Sequence, residues 1–273
     1  YNHQLQNRTR RLYVQSLGQT TLQFICFFFS DIVRPAFFYK DCTACFNREI
    51  VGGACEKETM SDADDIFIIR HGERIDYIDR NWLSQSGHTR ADDPHLAPKG
   101  HTQAREVSER MDHYQIEHIF ASPFIRCVET AAAIAERQGL QINIEPGICE
   151  VLSTFPPGFM ETEDLAQRFA AVNTSYEPVM PRSELSSEWG DGDCITRASA
   201  VATQIRERVT GPILFVGHGA SCAGIGKAFS GRTSYQGLTT LSYLTRASNS
   251  SRYQFILNGC AEHLSDKSNL RAY

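Results

Sequence analysis

The chain has 273 residues, 41% of them hydrophobic and 22% charged, and 27 Lys+Arg against 32 Asp+Glu give a formal net charge of -5. That is the composition of an ordinary globular protein with one large domain or two small ones. It excludes a polybasic nucleic-acid binder, and the longest unbroken apolar run, Phe24 to Phe29, is far too short for a membrane span.

Residues 1–59 read differently from the rest. They hold seven of the 27 basic residues and five of the 32 acidic ones, so this stretch is mildly basic and the remainder acidic. Phe27, Phe28, Phe29, Phe37, Phe38 and Tyr39 follow neither a period of 2 nor one of 3.6. The order of a signal peptide is missing as well. Met60 stands just before Ser-Asp-Ala-Asp-Asp and the first strand, so the expected domain is 60–273, with 1–59 a leader that is disordered or foreign to the native protein. Cys42 and Cys45 form a C-x-x-C pair, but no second pair follows at a spacing that completes four zinc ligands. Cys127, Cys149, Cys194, Cys222 and Cys260 are odd in number and widely spaced, the pattern of reduced, buried thiols, from which a cytoplasmic location is expected.

From residue 65 strands and helices alternate. The run 65–69 is apolar without polar alternation, as in a strand buried on both faces. A helix is predicted from Pro98, which suits a first turn, to Met111. A strand over 118–122 and a helix from Pro123 to Arg137, stopped by Gly139, come next. A third strand covers 141–145, and amphipathic helices cover 162–172 and 193–209, the second entered through the turn Gly190-Asp-Gly-Asp193. A fourth apolar strand covers 212–217, a helix 220–229, and two closing strands 240–245 and 253–257. This pattern implies an α/β fold: a mostly parallel central sheet with helices on both faces.

In such sheets ligands bind beyond the carboxyl ends of the strands. Arg70, His71 and Arg74 follow the first strand, Ser122, Pro123 and Arg126 the second, Glu150 the third at a few residues' distance, and His218 and Gly219 the fourth. Two histidines, three arginines and a glutamate on one edge make a pocket for a dianion with an acid beside it. Guanidiniums offer forked donors that match phosphate oxygens. Positive surroundings hold an imidazole neutral, and a neutral imidazole can attack phosphorus. A protonated glutamate can supply the proton that a leaving alkoxide needs. No metal or cofactor is required by this scheme, and the sequence itself displays no metal-ligand spacing.

Arg70-His71-Gly72-Glu73-Arg74 resembles the signature of the histidine phosphatase superfamily, the phosphoglycerate-mutase-like fold. Ser122-Pro123-Phe124-Ile125-Arg126-Cys127-Val128-Glu129-Thr130-Ala131 resembles its second motif, 145–150 its acid loop, and 216–219 its second histidine, in the family's order over roughly 64–258. The resemblance implies His71 as nucleophile, Arg70, Arg74, Arg126 and His218 as phosphate ligands, and Glu150 as proton donor. Arg74 stands where mutases usually carry serine, and Gly219 rather than Asp follows His218, unlike the secreted acid phosphatases. Arg74, Asp76 and Trp82 together are most similar to the phosphatase domains of the ubiquitin-associated and SH3-domain-containing proteins and to ecdysteroid-phosphate phosphatase.

The expected partner is therefore a phosphomonoester, small or carried on a protein; neither nucleic acid nor a membrane is expected, and a homodimer stays open. Glu161, Glu163 and Asp164 compete with Glu150 for the acid's role. Tyr77, Trp82 and Trp189 either wall a substrate cleft or pack, and 154–188 is the expected lid. The rival readings are a mutase-type phosphotransferase and a module that only binds phosphorylated ligands.

Overall fold

A computed structural model of the chain describes residues 64–86, 90–246, 250 and 252–271. The readings made for 1–59 and for Met60 lie outside the described residues. Strands β1 (Ile66–Arg70), β2 (His118–Ala121), β3 (Ile142–Ile144), β4 (Ile213–Gly217), β5 (Leu241–Thr245) and β6 (Gln254–Cys260) form one sheet in the order β3-β2-β4-β1-β5-β6. The first four run parallel, and β5 and β6 close the sheet antiparallel. The helices are α1 (Trp82–Ser86), α2 (Pro98–Met111), α3 (Ile125–Gln138), α4 (Thr162–Arg168), α5 (Asp191–Arg208) and α6 (Gly219–Ser230).

The central strands β1 and β4 are buried at every position, and apolar up to Arg70 and Gly217 at their carboxyl ends, because both faces are covered. Ile66, Ile68, Phe120, Ile213 and Phe215 join one core with Val201, Ala202 and Ile205 of α5 and Cys222, Ile225 and Phe229 of α6. The alternate residues Phe67, Ile69, Leu214 and Val216 are as deeply buried on the other face, where Phe67 packs against Tyr114 just beyond α2. The five cysteines of this region are free and buried. No helix of the described residues is long and apolar enough to cross a membrane.

Several boundaries differ from the sequence pattern, each for a local reason. The helix expected over 162–172 ends at Arg168, because the chain then serves the sheet edge: the N–H of Ile142 donates to Ala171 O at 2.7 Å and that of Asn173 to Ile142 O at 2.9 Å. Helix α5 begins at Asp191 and not after the Gly-Asp turn; Asp191 and Asp193 lie in its first turn, where acidic side chains complement the helix dipole. Strand β6 continues to Cys260 through Asn258 and Gly259, which look like turn residues in sequence. It is accommodated by a register irregularity opposite β5 and by a positive φ of 66° at Gly259. Ala97 caps α2 without a side-chain hydrogen bond, and Gly139 ends α3 in the left-handed conformation, both as the sequence implies.

One close approach fixes the loop after β1. The N–H of Ala97 donates to Glu73 O at 2.8 Å, which draws the first turn of α2 onto residues 72–73. A Cβ on Gly72 would lie 2.7 Å from Gly100 O, and one on Gly100 would lie 2.2 Å from Glu73 O. Both neighbours are backbone, so neither yields easily. Gly100→Ala should therefore lower stability by about 1–3 kcal/mol through overpacking, even though alanine is favoured over glycine inside a helix by roughly 1 kcal/mol. Urea denaturation measures the difference, and a variant as stable as wild type would show that loop and helix separate freely.

Candidate active site

The strand register assembles the site. Arg70 pairs with Gly217 across β1 and β4, so the next residues, His71 and His218, leave adjacent parallel strands at the same level. Ala121 pairs with Val216, which brings Ser122 and the start of α3 alongside. The backbone pairing runs one residue further on each side: His71 N–H donates to Gly217 O and Ser122 N–H to Val216 O, both at 3.0 Å. The two imidazoles lie edge to face with ring centroids 5.2 Å apart.

His71 and His218 are both 0% exposed. Burial, and after it the charges of Arg126 and Arg70, hold the His71 pKa well below the usual histidine value. His71 Nδ1 lies 2.7 Å from Gly72 O. A carbonyl only accepts, so the ring proton is on Nδ1 and the lone pair is on Nε2. That Nε2 is buried and has no hydrogen-bond partner among the described residues. His218 is held neutral by the same burial and by Arg126. Arg126 Nη2 donates to His218 Nδ1 at 3.3 Å, which leaves Nε2–H to donate to Ser122 Oγ at 2.8 Å.

Arg126 is 1% exposed. Its Nη1 donates to Asp92 O at 3.4 Å, Asp93 Oδ1 lies 3.8 Å and Glu150 Oε2 4.0 Å from its guanidinium nitrogens, and its central carbon sits 4.5 Å from the Phe124 ring centroid. Arg70 donates from Nη1 to the carbonyls of Gln236 and Arg271, each at 3.0 Å. Arg74 is forked onto Asp76, at 2.9 and 2.5 Å. Glu150 is the carboxylate beside the imidazoles: its Oε2 is 3.5 Å from His218 Nδ1, and its Oε1 accepts from Val151 N–H at 3.0 Å. Of its sequence rivals, Glu161 pairs with Arg182 at 2.6 Å, and Glu163 and Asp164 are exposed in the first turn of α4.

His71, Glu150 and His218 present donor atoms within 4.8 Å of one another, a convergence that the sequence spacing did not display. Such a triad can ligate a cation. Here the charges of Arg126, Arg70 and Arg74 all bear on both histidines, an environment that favours an anion over a metal ion. Ser221, three residues after the second histidine, accepts at Oγ from His218 N–H at 2.9 Å and so caps α6. Trp82 is buried and meets the His95 ring edge-on, so it packs instead of walling an open cleft, whereas Trp189 is fully exposed. The expected lid is tied down at several points. Gly158 N–H donates to Asp92 Oδ2 at 2.7 Å, Arg182 donates to Pro157 O and Phe159 O, and the buried Glu145 carboxylate accepts from Tyr176 OH and from the N–H groups of Gly147, Val179 and Met180.

Further residues complete the arrangement. Thr130 Oγ1 accepts from Gly72 N–H at 3.2 Å and donates to Arg126 O at 2.8 Å, which joins the two main motifs. Its signal was its place four residues after Arg126, on the same helix face. Tyr77 has the Arg74 guanidinium 4.7 Å and the Arg271 guanidinium 3.6 Å from its ring centroid. Arg271 comes from a segment beyond the motifs, and nothing in its sequence surroundings marks it.

A family model described as histidine phosphatase superfamily (branch 1) matches residues 66–249. The chain is similar to ecdysteroid-phosphate phosphatase of Drosophila melanogaster, 28% identical in an alignment 188 residues long that covers 56% of this chain and 25% of that protein. It is also similar to human ubiquitin-associated and SH3 domain-containing protein A, 30% identical in an alignment 194 residues long that covers 57% of this chain and 29% of that protein. The chain thus spans between a quarter and a third of the length of these relatives. Among solved structures it is similar to the ecdysone phosphate phosphatase of Bombyx mori in complex with tungstate, with a TM-score of 0.60 and 22% identity over 75% of this chain and 96% of that one. At that identity the likeness speaks for the fold.

Behind Arg126 lies Asp93, 2% exposed, whose Oδ1 accepts from Ile125 N–H at 2.8 Å. Burial outweighs the nearby guanidinium and pushes its pKa from 3.8 up to about 6. The folded chain then keeps a proton between about pH 4 and pH 6 that the unfolded chain has already released. Raising the pH through that window therefore costs stability. Asp93→Asn keeps an acceptor for Ile125 and removes the titration. Its stability relative to wild type should rise by on the order of 3 kcal/mol from below pH 4 to pH 7. Denaturant titrations across that range test this, and a constant difference would mean that folding leaves the Asp93 pKa unshifted.

Proposed function

Because the chain belongs to the histidine phosphatase superfamily, we propose that it is a phosphomonoesterase that works in two steps through a phosphohistidine on His71. The observation that carries this reading is the state of His71: neutral, buried among guanidinium charges, with Nδ1–H tied to Gly72 O and the Nε2 lone pair unpartnered among the described residues. A nucleophile must be neutral at nitrogen and free of competing donors.

In the first step Nε2 attacks phosphorus, the bond from phosphorus to the ester oxygen breaks, and that oxygen takes a proton from Glu150. In the second, water attacks phosphorus and gives its proton to the Glu150 carboxylate, the phosphorus–nitrogen bond breaks, and inorganic phosphate leaves. Arg70, Arg74 and Arg126 hold the equatorial oxygens and stabilise their charge. His218 binds phosphate as its imidazolium: an arriving dianion offsets the positive charges that keep this ring neutral, and the ring then donates from Nδ1 as well. It stands at the N-terminus of α6, whose first N–H groups favour an anion.

The Drosophila relative is named for a steroid phosphate, an ester of a bulky alcohol. That class, like a sugar phosphate and unlike phosphotyrosine, calls for an acid, because an aliphatic alkoxide leaves poorly without a proton. Glu150, 28% exposed and 3.5 Å from His218, supports it.

His71→Ala should abolish both turnover and an acid-labile, base-stable phosphoenzyme, while wild type releases phosphate in EDTA and without a bisphosphate primer. Glu150→Gln should cost on the order of 10²–10⁴ in kcat/KM on an alkyl phosphate and far less on p-nitrophenyl phosphate, whose phenolate leaves unprotonated. Stimulation by a bisphosphate with isomerised product in excess would move the assignment to a mutase. Loss of activity in EDTA would give the His71–Glu150–His218 triad to a metal, and binding without turnover would leave a phospho-ligand module.

A further inference from the structure

Behind the acid loop lies a buried ion pair that this chemistry does not use. Arg197 of α5 and Glu188, just before that helix, have side chains 8% and 7% exposed and are forked together, Nε to Oε1 at 2.8 Å and Nη2 to Oε2 at 2.9 Å. The remaining donors of Arg197 go to backbone carbonyls of one short stretch. Nη1 donates to Gly147 O at 2.8 Å and Cys149 O at 3.3 Å, and Nη2 donates to Cys149 O at 3.4 Å and Glu150 O at 3.1 Å. Glu188 holds the next residue but one. Its Oε2 accepts from Leu152 N–H, and its own N–H donates to Leu152 O, both at 3.0 Å.

Burying two charges is costly, and a well-packed apolar pair of the same size usually serves stability as well or better. What an apolar pair cannot do is hold carbonyl groups in place. Glu150 follows the short turn at 146–148 in a stretch without helix or strand, so no backbone ladder fixes it. Its carboxylate depends on the backbone conformation of 149–152 for its 3.5 Å separation from His218 Nδ1.

We propose that Arg197, oriented by Glu188, is the positioning residue of the acid: it sets the backbone on either side of Glu150 so that the carboxyl group meets the leaving oxygen. The inference rests on the reading of Glu150 as proton donor, and it assigns Arg197 no contact with substrate.

The test is kcat/KM on glycerol phosphate and on p-nitrophenyl phosphate for wild type, Glu150→Gln, Arg197→Lys, Glu188→Gln and the double variant Arg197→Lys/Glu150→Gln. A displaced acid in Arg197→Lys should cost about 10–100-fold on the alkyl ester and about threefold or less on the aryl ester. The double variant should be no slower on the alkyl ester than Glu150→Gln alone, since a missing acid cannot be misplaced. Equal losses on the two esters, or losses that multiply in the double variant, overturn the proposal. If Arg197→Lys does not fold, Glu188→Gln, which keeps the shape of the pair, is read by the same two criteria. Should Glu150→Gln itself treat both esters alike, the proton-donor reading falls and this inference with it. A leaving-group effect in Glu150→Gln but not in the Arg197 or Glu188 variants overturns the inference alone.

Discussion

A guanidinium that is 1% exposed, Arg126, lies at the carboxyl edge of the sheet with two fully buried imidazoles close by. Taking such a charge out of water costs several kcal/mol even after relaxation. The surroundings offset only part of that. Asp93 stands 3.8 Å away with its own pKa raised, Glu150 is 4.0 Å away, and the Phe124 ring covers the guanidinium plane. Arg70 and Arg74 add further positive charge that both histidines feel. The histidines answer by staying neutral, the one adjustment open to them. The pocket is left with fixed guanidinium charge and a bare imidazole nitrogen, an environment that favours an anion.

Holding that arrangement requires backbone geometry more than side-chain packing. The pairing of Arg70 with Gly217 fixes the level of His71 against His218, and a slip of one residue would turn both to the wrong face. Gly72 and Gly100 let the first turn of α2 close on the loop after β1. Thr130 then ties that loop to α3 by one hydroxyl that accepts from Gly72 and donates to Arg126. Gln103 does the same from α2, its Oε1 accepting from Glu73 N–H at 2.9 Å. The histidine loop is thus held from both helices on its side of the sheet, and the orientation of His71 is set by the fold itself.

Much of this was legible in the sequence, because it follows from local pattern. Continuous apolar runs marked β1 and β4 as central, and the residues at the carboxyl ends of the first, second and fourth strands were the ones the fold brought together: Arg70, His71, Arg126 and His218. Less legible was whatever depends on partners far apart in sequence. Arg74 was expected as a phosphate ligand, but its fork onto Asp76 appears only in three dimensions. Trp82 could not be sorted between cleft and core until α1 placed it against His95. The end of α4 was misjudged because the sheet edge claimed the backbone of 171–173, a demand that helix propensity does not register. Arg197 reads as an ordinary solvent-facing arginine of an amphipathic helix, and its partner Glu188 lies across a turn at no telling spacing. Arg271 reaches Tyr77 from beyond the last strand.

In the proposed reaction Glu150 meets a different demand from the deeply buried His71, His218 and Arg126. Phosphate ligands do best buried, where their charge is least screened. A proton donor that, as proposed for Glu150, must later take a proton from water needs contact with solvent, and 28% of the Glu150 side chain is exposed. Exposure removes the packing that would otherwise fix a side chain, and the loop offers no strand or helix to replace it. The constraint has to come from behind. The buried Glu145 carboxylate anchors Gly147 together with Tyr176, Val179 and Met180, and Arg197 gathers the carbonyls of Gly147, Cys149 and Glu150. Two buried ionic centres on the core side therefore do for an irregular loop what the β1–β4 ladder does for the histidines. The loop that carries Glu150 is thus held at its backbone, while the carboxylate itself stays partly exposed.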